Sequence, residues 1–260
     1  MNQKNGKNPI SKEKLKNLFN KFKESYQSND IEGLMDLMDE MEELKPLPIE
    51  IYLEKAKYYI ESKRIDKAEV YVDKGLDREP ENPELIALKA EIYRLRKELP
   101  KAAKFINKAI PLDPKNPSLY VCKGLIYGEM KDFNIALKEF DKALELDSKN
   151  LMALFGKGFL MAKMKNFDEA MKYYDKVLEM NPNFHKARLA KAQAFKDMGR
   201  NVETVTTLDD VTRKDSNNIN AWIYKSQELR KMNKLDDALK SVKKALEIDA
   251  KNVKSVIEIT

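Results

Sequence analysis

Large apolar, small and polar residues recur along this chain with a step of 34 positions. The stretch KGLIYGEMKDFNIALKEFDKALELDSKN, from Lys123, aligns with KGFLMAKMKNFDEAMKYYDKVLEMNPNF, from Lys157. Extended both ways, this register gives seven units: 15–48, 49–82, 83–116, 117–150, 151–184, 185–218 and 219–252. From the second unit on, position 8 is small (Ala56, Ala90, Gly124, Gly158, Ala192, Ser226). Position 20 is small as well (Ala68, Ala102, Ala136, Ala170, Thr204, Ala238), and position 27 runs Gly75, Ala109, Ala143, Val177, Val211, Ala245. Position 11 is large (Tyr59, Tyr93, Tyr127, Met161, Phe195, Leu229), and so is position 24 (Val72, Ile106, Phe140, Tyr174, Leu208, Val242). The pattern predicts two helices per unit. The small positions let antiparallel partners approach, and the large ones fill the space between them. Turn signals fall between paired helices at Asn29-Asp30, Lys131-Asp132, Lys165-Asn166, Gly199-Arg200 and Asn233-Lys234. Proline at position 32 (Pro46, Pro80, Pro114, Pro182) helps to stop the second helix. In the first unit Phe22 and Leu34 replace small residues, as expected of a divergent end unit.

These positions resemble the tetratricopeptide repeat family, whose pattern is large–Leu–Gly–Tyr in the first helix and Ala, Phe, Ala, Pro in the second. The resemblance covers 15–252, and the wording is similar to archaeal members of the family. It implies an all-α fold, a right-handed superhelical solenoid of stacked antiparallel helix pairs with first helices lining a concave groove. The expected organisation is a disordered segment at 1–10 with Ser11 capping the first helix, a divergent repeat or cap at 11–48, and six units over 49–252. Residues 253–260 begin a C-terminal capping helix, in which Val253, Val256 and Ile257 have helical spacing, or else form the stub of a longer protein. One departure from the family is systematic. Position 7, usually leucine, is Lys21, Lys55, Lys89, Lys123, Lys157, Lys191 and Lys225. Position 25 is acidic in most units (Asp39, Asp73, Asp141, Asp175, Asp209) and Asn107 or Lys243 otherwise. A lysine stem can pack in a leucine slot while its ammonium reaches outward. Pairing of position 7 with a nearby acid such as position 25 is therefore expected, ahead of a basic ladder for an anionic ligand.

Composition narrows the function classes. The chain is 42% hydrophobic and 35% charged, with 8 Gly and 10 Pro among 260 residues, a mix that folds and favours helix. No stretch approaches the ~20 apolar residues of a bilayer span. The opening MNQKNGKNPI lacks the apolar core of a secretory signal, and a single cysteine, Cys122, suits a reducing compartment, so the expectation is cytoplasmic, without membrane contact. One cysteine and one histidine, His185, cannot build a His/Cys zinc site. There is no P-loop, nucleophile elbow or Gly-rich dinucleotide turn, so neither enzyme nor cofactor is expected. Cys122 and His185 lie two repeats apart, and Cys122 reads as a small apolar filler. The net charge of +6 permits nucleic-acid contact without arguing for it. An RNA-binding helical-repeat protein is the alternative reading, but such readers typically use a 35-residue unit. Charge is uneven, acidic in the first two units and basic in the third and the last two. Solvated helix faces explain this, and two docking surfaces or self-association through the ends or groove are the functional readings.

The resemblance implies that ligands touch first-helix positions 2, 5, 6, 9, 12 and 13. Carried over by register, the candidate groove residues are Val121, Cys122 and Leu125 in the fourth unit, Met152, Phe155, Phe159 and Lys163 in the fifth, and Leu189, Gln193 and Lys196 in the sixth. Phe155 and Phe159 are one turn apart on one face, and Gly128, Gly156 and Ala162 leave room beside them. The family's two-carboxylate clamp for chaperone tails has no match in three successive units. The expected function is a non-catalytic protein–protein interaction scaffold that binds a peptide or helix, apolar where it meets Phe155 and Phe159. The competing reading packs Phe155 against the neighbouring repeat.

Overall fold

A computed structural model describes residues 48–249 throughout, together with scattered positions between 16 and 37. The expected N-terminal segment 1–10, the cap at Ser11, most of the first repeat and the segment 253–260 lie outside the described residues. Over 48–249 the secondary structure is helical. The helices are α1 (Ile49–Glu61), α2 (Ile65–Arg78), α3 (Pro83–Leu95), α4 (Leu99–Ala109), α5 (Pro117–Glu129), α6 (Phe133–Leu146), α7 (Leu151–Lys163), α8 (Phe167–Met180), α9 (His185–Asp197), α10 (Asn201–Lys214), α11 (Ile219–Lys231) and α12 (Leu235–Ile248). By contact the chain divides into two compact units, Met1–Pro114 and Lys115–Thr260. The first contains α1–α4 and the second α5–α12. Only short turns separate the helices of a pair, which forces them antiparallel.

The turn inside each pair has one geometry. The residue at position 15 adopts a left-handed conformation each time: Lys63, Lys97, Lys131, Lys165, Gly199 and Asn233, with φ between 58° and 74°. The next amide donates back to the carbonyl of position 11, as in Arg64 N–H to Tyr59 (2.8 Å) and Asn166 N–H to Met161 (2.8 Å). This is the Schellman closure of a first helix, and it usually employs glycine. Four of the six positions carry lysine, whose Cβ is strained there.

Five second helices, α2, α6, α8, α10 and α12, stop at position 30, with or without proline two residues later, whereas α4 stops at position 27. The position-31 amide closes on position 27, as in Asp147 N–H to Ala143 (2.9 Å). Proline at position 32 is thus compatible with the stop without being needed for it. Pro111 acts differently: lacking an N–H, it leaves the last turn after α4 as a 3₁₀ turn, Ile110–Leu112. Four first helices, α3, α5, α7 and α11, are capped by the preceding asparagine. Asn82, Asn150 and Asn218 accept from the amides of Leu85, Ala153 and Ala221 at 3.0–3.1 Å, and Asn116 accepts from Ser118.

Packing within a pair follows volume compensation between positions 8 and 24. Aliphatic Val72, Ile106 and Leu208 lie opposite Ala56, Ala90 and Ala192, and each of the six is at most 2% exposed. The two aromatic residues, Phe140 and Tyr174, require glycine opposite. A Cβ on Gly124 would come to 2.7 Å of the Phe140 ring, and one on Gly158 to 2.9 Å of the Tyr174 ring. Burial pushes the Tyr174 phenol above its ordinary pKa. The expectation that position 11 lies inside holds for Tyr59 and Leu229, at 7% and 3% exposure, whereas Tyr93, Tyr127, Met161 and Phe195 are half-buried. Position 10 takes the inner place in those repeats, through Ile92, Ile126, Leu160 and Ala194. The Cβ direction of a helix aims that residue at the partner helix, and position 11 lies across the groove between them.

Five of the position-7 lysines are ion-paired as expected. Lys89 reaches Asp73 at 2.6 Å, and Lys225 reaches Asp209 at 2.6 Å. Lys157 pairs with Asp141 and Lys191 with Asp175. Each of these acids occupies position 25 of the preceding repeat, so the pair spans a repeat junction. Lys123 instead meets Glu139 of its own repeat at 2.8 Å, where position 25 of the preceding repeat is the uncharged Asn107. Burial by itself would lower the Lys89 pKa. Hydrogen bonds to Asp73 and Glu69, with their charges, outweigh it and hold the ammonium above its ordinary value.

Glycine at an exposed position 15 relieves the Cβ strain, at the cost of a more flexible unfolded chain. Lys63→Gly and Lys165→Gly are each expected to stabilise by about 0.5–1 kcal/mol, read from chemical denaturation midpoints.

Candidate groove between α5 and α7

The second compact unit holds a pocket of about 410 Å³. It opens between the first helices α5 and α7 and the α6 helix that packs on both. Leu125, Gly128, Phe155, Phe159 and Leu160 form much of its apolar lining, the buried Phe140 ring closes its base, and Glu129, Lys131 and Lys163 carry charge at its edge. Phe159 is 44% exposed at the mouth.

The two phenylalanines differ in role. Their ring centroids lie 6.4 Å apart, consistent with a shared face one turn apart. Phe155 is half-buried and leans on Tyr174 (6.1 Å) and Phe184 (5.4 Å), both of its own repeat. It serves as pocket wall and packing residue together. Phe184 was not singled out in the sequence. It stands where Asn82, Asn116, Asn150 and Asn218 cap the following first helix, and α9 has no side-chain cap. The break in that asparagine series is the signal that would have found it. Phe159 has no comparable packing and presents its ring to solvent. Lys163 Nζ sits 5.2 Å from the Phe159 centroid, a cation over an exposed aromatic face.

The glycines of the groove differ in role. Gly156 does not leave room beside the phenylalanines, because a Cβ there would come to 2.4 Å of Phe140 Cζ. Its missing side chain is filled from below by the ring of α6. Gly128 does open space, since its nearest neighbour would be Leu160 Cδ2 at 3.3 Å, the end of a flexible side chain. Ala162 is half-buried against the core of its repeat.

Of the ten candidate residues, four line this pocket: Leu125, Phe155, Phe159 and Lys163. Val121 is 8% exposed and belongs to the core. Cys122 and Met152 are half-buried outside the pocket lining. Leu189 packs against the core around Ala192 and Leu208. Gln193 is exposed and donates to Asp197 at 2.7 Å. Lys196 lies 5.3 Å from the Tyr224 centroid and 3.7 Å from a Glu228 oxygen. Register positions thus bring four of the ten residues to one pocket and leave the other six outside its lining. They did not reveal which members converge, and they missed Leu160, Phe133 and Phe140, which come from inner positions and from the second helix.

Glu228 is unusual. It fills position 10, where Ile92, Ile126, Leu160 and Ala194 stand in other repeats, and it is wholly buried. One carboxylate oxygen accepts from Lys231 at 2.8 Å, and the other meets no protein donor. Among the described residues, no group of three or more His, Cys, Asp or Glu stands close enough to hold a metal ion, and no helix is long and apolar enough to cross a membrane.

Tetratricopeptide repeat models match residues 59–121, 117–150, 152–184 and 219–252. The fold is similar to a tetratricopeptide repeat protein from Parabacteroides merdae ATCC 43184, at 18% identity over 95% of this chain and 98% of that one (TM-score 0.68). It is also similar to the Cut9–Hcn1 hetero-tetramer of the APC/C, at 13% identity over 91% of this chain and 47% of that one (TM-score 0.75). A third similarity is to YrrB, described as having an unusual peptide-binding site, at 21% identity over 73% of this chain and 98% of that one (TM-score 0.50). No curated protein matches the chain in sequence.

Two predictions follow from these contacts. Gly156→Ala should destabilise by about 1 kcal/mol, because forcing a Cβ against Phe140 outweighs the gain in helix propensity, whereas Gly128→Ala should be neutral or stabilising. Glu228→Leu should stabilise by about 1–3 kcal/mol, because it removes a buried oxygen without a donor while Lys231 remains in water. Thermal or denaturant unfolding followed by circular dichroism checks both.

Proposed function

We propose that this chain, which belongs to the tetratricopeptide repeat family, is a non-catalytic interaction scaffold that seats an apolar peptide or helix of another protein in the groove at α5 and α7. The observation that carries the reading is the half-exposed Phe159 at the mouth of an apolar pocket. A large aromatic ring left in water costs free energy that burial by a partner recovers, about 25 cal/mol per Å² of apolar area. Nothing in the repeat architecture requires a phenylalanine at this position, which is Leu125 in the preceding repeat and Gln193 in the following one. The walls are set by packing against Phe140 and Leu160, so the pocket exists before any partner arrives, which lowers the ordering cost of binding. Two proteins of similar fold fit this reading, since one is described with a peptide-binding site and the other in complex with a second chain.

Phe159 is the residue to alter, because its ring contributes least to the fold. Wild-type and Phe159→Ala chains, immobilised in parallel, are challenged with lysate of the native organism. Proteins held by the wild type and lost from the variant, at an unchanged unfolding midpoint, are the expected result. Identical retention by both would remove the pocket from consideration as a binding site.

A further inference from the structure

The edge of the pocket bears on the chemistry of its occupant. We infer that the bound segment is acidic, carrying carboxylates beside the apolar side chain that enters the pocket. This rests on the groove reading above and adds the charge of the partner to it.

Lys131 and Lys163 both reach the pocket, and neither has a carboxylate partner among the described residues. This contrasts with the position-7 lysines of the same unit, each of which holds an acid. The Lys163 ammonium stands over Phe159, so a carboxylate that follows an apolar anchor onto that ring meets a cation already in place. Lys131, also a lining residue, is held by its left-handed turn (φ 66°) after α5. Glu129 is the acid among the lining residues.

The bias continues on the same register positions of the next first helices. Position 12 of α9 is Lys196, placed over the exposed Tyr224 ring of α11, and position 13 is the exposed Asp197, which accepts from Gln193. Positions 12 and 13 of α11 are Arg230 and Lys231, both exposed. The acid beside Arg230 and Lys231, Glu228, is wholly buried beneath Lys196 and Lys231, so at this end of α11 cations form the surface that a ligand meets. An apolar segment with basic flanks would bring like charges together at each of these points, while one with acidic flanks gains complementarity along the face.

The test uses a random 16-residue peptide library displayed on phage, panned on the full chain and counter-selected on Phe159→Ala. The expected result is enrichment of peptides with an aromatic or aliphatic residue flanked by Asp and Glu. Individual peptides should then bind Lys163→Glu about tenfold more weakly than wild type, since an exposed pair is worth about twofold to fivefold and reversal adds repulsion. Affinity should fall with added salt. Enrichment of Phe159-dependent peptides with neutral or basic flanks would overturn the acidic inference and leave the groove reading intact. Absence of any Phe159-dependent peptide would overturn both. Unfolding midpoints of the variants keep loss of fold from passing as loss of binding.

Discussion

The depth to which a second-helix side chain enters between two first helices governs the packing of this chain. Phe140 shows the constraint most clearly. Its ring lies against Gly124 of its own repeat and Gly156 of the next, and neither site has space for a Cβ without a shift of the ring. Tyr174 imposes the same demand on Gly158. Where position 24 is smaller, as at Val72, Ile106 and Leu208, alanine suffices at position 8. Interiors pack at crystal-like density, so the two positions must trade volume, and the trade recurs unit after unit. The candidate pocket is a consequence. An aromatic base of this size, with glycine on the α5 side, sets the spacing of α5 and α7.

Polar contacts then add register to a core that is otherwise tolerant. The lysines at position 7 sit in slots that leucine could fill, and their ammonium groups reach the acid at position 25 of the preceding repeat. Such pairs add little net stability, because desolvation opposes the attraction. Their geometry nevertheless links neighbouring repeats at a fixed stagger of helix against helix. The left-handed residues at position 15 contribute a second repeated constraint, since each closes a first helix and reverses the chain within three residues.

The groove departs from these regularities at a few points, and the departures carry the functional reading. Phe184 replaces a capping asparagine and supports Phe155 instead. Phe159 keeps an aromatic ring in water. Lys131 and Lys163 have no acid partner among the described residues, in a chain that pairs many of its lysines. Each of these choices forgoes some local stability, which is the usual mark of surface shaped by binding.

The 34-residue step by itself determined that the chain is built of helix pairs and that positions 8, 20 and 27 face inward, because small side chains recur at positions that only close antiparallel packing explains. It also showed that position-7 lysines would find acids, since the charges alternate in the same register. The tertiary structure decided what depends on distances between side chains remote in sequence. Position 10 proved more buried than position 11 in the middle repeats, Val121 and Leu189 turned inward, and Gly156 was filled by a ring 16 residues before it. Periodicity reports the direction in which a side chain leaves its helix. Whether that direction ends in a neighbour, in a pocket or in water depends on the volume of residues that the period does not constrain, and here that was settled by Phe140.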